Sequence, residues 1–196
     1  MRRGVAIGKV VLRDYSMFCA RVAAAYEAAP RYEPRAEPSY RALRASIERL
    51  YRRLLSRIEV VFVDGQPYAS AAEMRREVWR TGVLAISRDF NTHLFFSPEE
   101  NLRFRAVHDY VVHIVGRGHP EFGQRGEIRA FNLHRALAPV GAWPALFTEV
   151  VGQVCFETVR GYFPEQKVAI LDGFDFVNVG LVEGCRVERK RLVCEA

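Results

Sequence analysis

Apolar residues recur every three or four positions through residues 39–57, where Leu43, Ile47, Leu50 and Leu54, with Ile58 just beyond, line one face of an amphipathic helix. The period then shortens. EVVFV at 59–63 predicts a strand closed by the Asp64-Gly65 turn, and VLAIS at 83–87 a second strand that can pair with it. A helix from Ser70 to about Arg80, stopped by Gly82, joins them. Ser97-Pro98-Glu99-Glu100 opens the next helix: Ser97 caps, Pro98 suits the first turn and Glu100 completes a capping box. That helix is expected to run to Val115 and to be followed by helices at 125–138 and 143–160. Upstream, VAIGKVVL at 5–12 predicts a strand and 14–28 an Ala-rich helix, while the three prolines of 30–38 predict an extended linker. KVAIL at 167–171 is a third strand candidate, and the charged tail from Glu183 is expected to be peripheral.

The expected fold class is therefore mainly α with a small β-sheet (α+β), a helical bundle carrying a central polar site. Residues 1–38 form an N-terminal strand, helix and linker; 39–182 form one globular domain; 183–196 form a tail. Hydrophobic residues make up 49% of the 196, enough for a real core. No run of 18 apolar residues predicts a membrane span, and Lys9, Arg13 and Asp14 interrupt what would be a signal peptide. A cytoplasmic protein is expected. Cys19, Cys155, Cys185 and Cys194 include no C-x-x-C pair, and read as reduced, mostly buried residues.

Net charge is +6, carried almost wholly by arginine, since the lysines are only Lys9, Lys167 and Lys190. Arg41, Arg44, Arg49, Arg52, Arg53 and Arg57 decorate the helix at 39–57. Such a face can meet nucleic acid or simply be solvated. The lack of aromatic interleaving on that face favours solvation.

Chemistry concentrates in three consecutive helices. The first carries Arg105, His108, Asp109 and His113 among Val107, Val111, Val112 and Ile114. A helix apolar on several faces is buried, and buried ionisable groups need partners or a metal. Asp109 and His113, four apart, share a face with Arg105, whereas His108 is offset by about 100° from Asp109. The second helix carries Glu127 and His134, about 10.5 Å apart along the axis, which is long for two ligands of one ion. The third places Glu149 and Gln153 in an otherwise apolar run. Together these residues can build a carboxylate/imidazole centre for Zn, Mn or Fe, or a buried polar network that fixes helix packing. The H-x4-H spacing is not the zincin motif. His93 and His119, in loops, read as ordinary surface histidines.

The ordered motifs Phe104-Arg105-Ala106-Val107-His108-Asp109-Tyr110 with His113, Gly126-Glu127 with Ala130 and His134, and Thr148-Glu149 with Gly152-Gln153 resemble a family of tailed-phage and prophage proteins with the patterns FRAVHD(Y/V)xGH, RGE..A...H and TE..GQ. The family includes small stand-alone proteins and a module of very large phage polypeptides. The resemblance covers about residues 60–170 and implies a phage origin and one shared site, with Val112 where the family often has Gly. It implies no reaction. The function expected from the residues is a metal-dependent hydrolase-type site on a phosphate-containing substrate, nucleotide or nucleic acid. His108, His113, Glu127 and His134 are the metal ligands, Glu149 and Asp109 the catalytic carboxylates, Gln153 the group orienting Glu149, and Arg105 the anion contact. The alternative is a non-enzymatic phage accessory protein that binds nucleic acid or a host or virion protein.

Overall fold

A computed structural model describes residues 15–116 and 118–176, together with the backbone of two short strands at 185–188 and 191–194. The expected strand at 5–12 lies outside the described residues. Helices α1 (Tyr15–Ala28), α2 (Glu37–Leu55), α3 (Ala71–Thr81), α4 (Pro98–His108), α5 (Gln124–Arg135), α6 (Trp143–Phe147) and α7 (Gln153–Arg160) accompany strands β1 (Glu59–Val63) and β2 (Val83–Ser87). The fold is mainly α with a small β-sheet, as the hydrophobic pattern predicts.

β1 and β2 are parallel and in register from Glu59 opposite Val83 to Val63 opposite Ser87. A parallel pair needs a crossover, and α3 supplies it. The Ser70 side chain caps α3 by accepting from Glu73 N, and Ser97 and Glu100 form the full capping box at α4.

Two apolar cores flank α4. Phe104 and Val107 join Tyr40, Leu43, Phe131 and Phe147 in the larger one. Leu102 and Ala106 join Leu54, Met74, Leu84 and Ile86 against the sheet. α4 is thus sandwiched through apolar residues on two faces, while Glu99 and Arg103 pair with each other. α1 also belongs to the larger core through Phe18, Cys19, Val22 and Tyr26, all buried, although the sequence pattern sets it outside the globular unit.

Two local expectations are corrected. The segment 30–38 is not extended throughout. Tyr32 bridges to Val168, Pro34–Ala36 forms one 3-10 turn, and Pro38 lies in the first turn of α2, where its missing N–H costs nothing. Lys167–Leu171 is not a strand beyond that single bridge, because other groups take its backbone polar atoms. Lys167 O lies 3.0 Å from Tyr40 Oη, Thr148 Oγ1 donates to Ala169 O, and Ile170 N donates to Glu33 Oε2. Within the expected tail, β3 (Cys185–Glu188) and β4 (Arg191–Cys194) pair antiparallel.

The helices at 98–115 and 143–160 are not regular. Asp109–Ile114 and Thr148–Gly152 are π-helical turns inserted in each. The amide of Val115 donates to Tyr110 O at 3.0 Å, the i→i+5 bond that defines such a turn.

Two glycines of the motifs are required by close approach. A Cβ on Gly152 would stand 2.8 Å from the Tyr26 ring and 3.1 Å from Leu171 Cδ1, so this glycine lets α1 close on the second π turn. A Cβ on Gly126 would stand 1.4 Å from Glu121 O. Gly126→Ala is expected to displace the loop before α5 and to cost about 1–3 kcal/mol, as other overpacking substitutions do. Urea denaturation checks this; an unchanged midpoint would mean that the loop does not pack on α5 in this way.

Candidate metal centre

The first π turn decides the geometry of the site. Residues five apart on a regular α-helix point about 140° away from each other. Within the π turn the i→i+5 bonding stacks them, and His108 and His113 both face Glu127 on α5. His108 Nε2 lies 3.0 Å from Glu127 Oε2, and His113 Nε2 lies 3.2 Å from Glu127 Oε1. One ligand atom from each of the three residues falls within 4.8 Å of the others, so the group could hold a metal ion. The donor set, two imidazoles and a carboxylate, suits Zn, Mn or Fe.

The surroundings fix how these rings are presented. His113 Nδ1 donates to Pro120 O at 2.8 Å, which turns Nε2 toward Glu127. Histidines that bind metals are usually held by such a bond on the other nitrogen. His134, fully buried, places Nδ1 3.4 Å from His108 Nδ1, while its Nε2 has no hydrogen-bond partner among the described residues. It thus backs His108 rather than joining the three convergent groups. The long axial separation from Glu127 has this outcome.

Without a metal the cluster is a charged network. Burial opposes charge on His113, but the hydrogen bond and Coulomb attraction from Glu127 outweigh it and raise its pKa to about 9. Burial would raise Glu127; the hydrogen bonds from His108 and His113 outweigh it and lower its pKa to about 2. Burial, and then the neighbouring His108, push His134 down to about 3, so it is neutral at pH 7. Burial raises the Asp109 carboxyl, although the nearby histidines act against this.

His108, Asp109, His113 and Glu127 line a cavity of about 600 Å³, within the usual range for small-molecule sites. The Asp109 side chain makes no hydrogen bond among the described residues. A second polar centre lines the same cavity. Glu149, on the second π turn, accepts from Tyr40 Oη at 2.6 Å, from His93 Nε2 at 3.2 Å and from Gln153 Nε2 at 2.7 Å. The amides of Phe95 and Phe96 donate to His93 Nδ1, which leaves the proton on Nε2, facing the carboxylate. Gln153 is therefore placed as expected, beside Glu149.

His93 is corrected: its side chain is 0% exposed, not a surface histidine, because Glu149 and the rings of Tyr40 and Phe96 enclose it. Sequence reasoning also missed Tyr40. Its phenol is fully buried among aromatic rings, and burial with Glu149 beside it raises its pKa well above the usual range. The one signal available was the aromatic run Phe95-Phe96 next to His93, which marks that loop as part of a core. His119 contacts the Trp79 ring edge-on.

Arg105 reaches the cavity, but its donors serve the backbone. Nη1 donates to Ser87 O and Asp89 O, and Nη2 to Phe90 O. The arginines of α2 are partly occupied in the same way. Arg41 bonds Glu37, Arg44 bonds Phe95 O and Glu100, and Arg49 bonds Leu137 O. Among the described residues no helix is long and apolar enough to cross a membrane.

Set against models of protein families, curated proteins and solved structures, the chain matches none of them.

The His113–Glu127 pair makes a pH signature in metal-free protein. His113 has a raised folded pKa, so its contribution to stability is complete below about pH 6.5 and is lost as pH rises through about 9. Denaturation with chelator present should show stability falling across that window, and His113→Asn should remove the fall. A slope identical in the variant would contradict the pairing.

Proposed function

We propose that the chain is a metal-dependent hydrolase-type protein, with His108, His113 and Glu127 as the ligands of one divalent ion. The observation that supports this most is the convergence of three ligand atoms within 4.8 Å in the wall of a cavity large enough for a substrate. A bound ion there would polarise a substrate oxygen or activate water. Three protein ligands leave coordination positions for either, as catalytic zinc sites do.

The remaining polar residues take distinct parts in this reading. Asp109 is the catalytic carboxylate, since it lines the cavity and its side chain has no hydrogen-bond partner among the described residues. Glu149 is engaged by three donors, which fix its orientation in the cavity wall. Gln153 and His93 hold it. His134 positions His108, and Arg105 positions the loop after β2 rather than an anion. The substrate belongs to the phosphate-containing class, nucleotide or nucleic acid, with the phosphate at the metal. Five carboxylates, Asp89, Asp109, Glu127, Glu149 and Glu157, line the cavity against Arg105, so an anionic group is favoured only beside a cation. A phage or prophage origin, which the motif resemblance implies, is part of the same proposal.

One observation favours a second reading. Both Glu127 oxygens and His113 Nδ1 already have partners without any metal. Such a network can serve only to hold the π turn against α5.

Metal titration separates the two. Purified protein is expected to take up one equivalent of Zn²⁺, Mn²⁺ or Fe²⁺. At ligand concentrations near 100 times Kd the thermal midpoint should rise by roughly 5–10 °C, because a ligand of the native state alone adds about 2.7 kcal/mol. His108→Ala and Glu127→Ala should lose both effects. A wild type without stoichiometric metal or thermal gain would overturn the proposal and leave the structural network.

A further inference from the structure

The loop after β2 delivers two unusual features to the mouth of the cavity. Phe90 has a φ of +53°, a region that bulky residues rarely occupy. Its side chain is also exposed, at 71% for the residue, although a phenyl ring gains by burial. The ring stacks on Phe163, with centroids 5.5 Å apart and planes 27° apart. Since Phe163 covers one face and the residue is still largely exposed, the other face of Phe90 is open.

This conformation is held in place. The three carbonyl bonds from Arg105 end on Ser87, Asp89 and Phe90 itself. The loop is fastened again by Asn91 Nδ2 donating to Pro98 O and by Asn101 Nδ2 donating to Asn91 Oδ1. A half-buried arginine and two asparagines thus maintain an exposed ring in a sparsely populated backbone conformation. Strain so maintained points to use of the ring.

The position of the pair narrows the use. Phe90, Phe163 and Gln166 line both the main cavity and a neighbouring one of about 330 Å³, so the aromatic stack is the wall the two share. Two nearly parallel rings present a flat face rather than an enclosing cage or an apolar tube. Gln66, Gln153 and Gln166 line the main cavity and can both donate and accept hydrogen bonds. Gln153 Nε2 donates to Gln166 Oε1 at 3.0 Å, which fixes the orientation of both amides. A flat apolar face beside oriented carboxamides matches a planar heteroaromatic ring with a hydrogen-bonding edge. The cavity carboxylates disfavour an anionic ring.

We propose that Phe90 and Phe163 form a stacking subsite for a nucleobase, with Arg105 as the positioning residue that holds Phe90. This inference rests on the reading of the cavity as a substrate site and names the part of the substrate bound away from the metal. Stacking is sequence-tolerant and strong enough to be measured for a single base.

The test uses the full chain with adenosine and, as the control without a base, ribose. Saturation-transfer NMR and calorimetric titration are run on metal-free and Zn²⁺-treated protein. Adenosine is expected to bind with saturation reaching its ring protons, and ribose is not. Phe90→Ala should weaken adenosine by about 5- to 150-fold, the range for loss of one base–aromatic stack. It should keep the circular dichroism, thermal midpoint and metal uptake of wild type. Phe90→Trp should retain binding. Arg105→Ala should weaken adenosine as Phe90→Ala does. Adenosine bound equally well by Phe90→Ala, ribose bound as well as adenosine, or no adenosine binding by wild type would each overturn the subsite. The two proposals fail separately. Metal uptake without adenosine binding removes only the stacking subsite, whereas adenosine binding by a protein that takes no metal removes only the metal centre.

Discussion

Glu127 is shared by two histidines that a regular helix would point in different directions. His108 and His113 reach the same carboxylate because the chain between them adopts a π turn, and the rest of the site follows from that constraint. The turn is stabilised from both sides. Val112 and Ile114 are buried, with Ile114 in the core against the sheet, and the Pro120 carbonyl anchors His113. Gly126 allows α5 to approach the loop that supplies this carbonyl. The second π turn does the same work for Glu149, which it directs toward Tyr40 and His93, while Gly152 on the same turn admits α1. π turns are uncommon and are frequent at functional sites. Here each falls on a motif that carries the polar residues.

Much of this was legible in the residues and some of it was not. β1 and β2 end where the alternation of EVVFV and VLAIS ends, and the Ser97 capping box marks the start of α4. The polar residues of three helices were identifiable by their apolar neighbours. The π turns were not, because period counting assumes one helical pitch and so separates His108 from His113 by angle. Tyr40 was hidden in the apolar stripe of α2, where a tyrosine is ordinary core. His93 lay in a loop, and nothing local to it reports a carboxylate 56 residues away. Arg105 was identifiable by its place one turn before Asp109, but only the fold shows that three carbonyls occupy it. Lys167–Leu171 has a strand's composition without a strand's partner, and tertiary hydrogen bonds decide its form.

Charge is distributed unevenly between surface and interior. The chain is basic overall, yet the cavity is lined by carboxylates. Arginines on α2 and at the base of the loop after β2 are drawn into contacts with carbonyls and acids of the same chain. An acidic cavity in a basic protein is a reasonable receptacle for a cation, and the proton that joins His113 to Glu127 occupies the place such a cation would take. Metal binding would release that proton, tying affinity to pH.

The central claim is that His108, His113 and Glu127 ligate one ion together. Anomalous X-ray diffraction from crystals of the zinc-loaded protein, recorded on either side of the zinc absorption edge, tests it most directly. The account predicts a single strong anomalous peak about 2.0–2.2 Å from Nε2 of His108, Nε2 of His113 and an oxygen of Glu127. A peak elsewhere, or none while the two imidazole–carboxylate contacts persist, would contradict it.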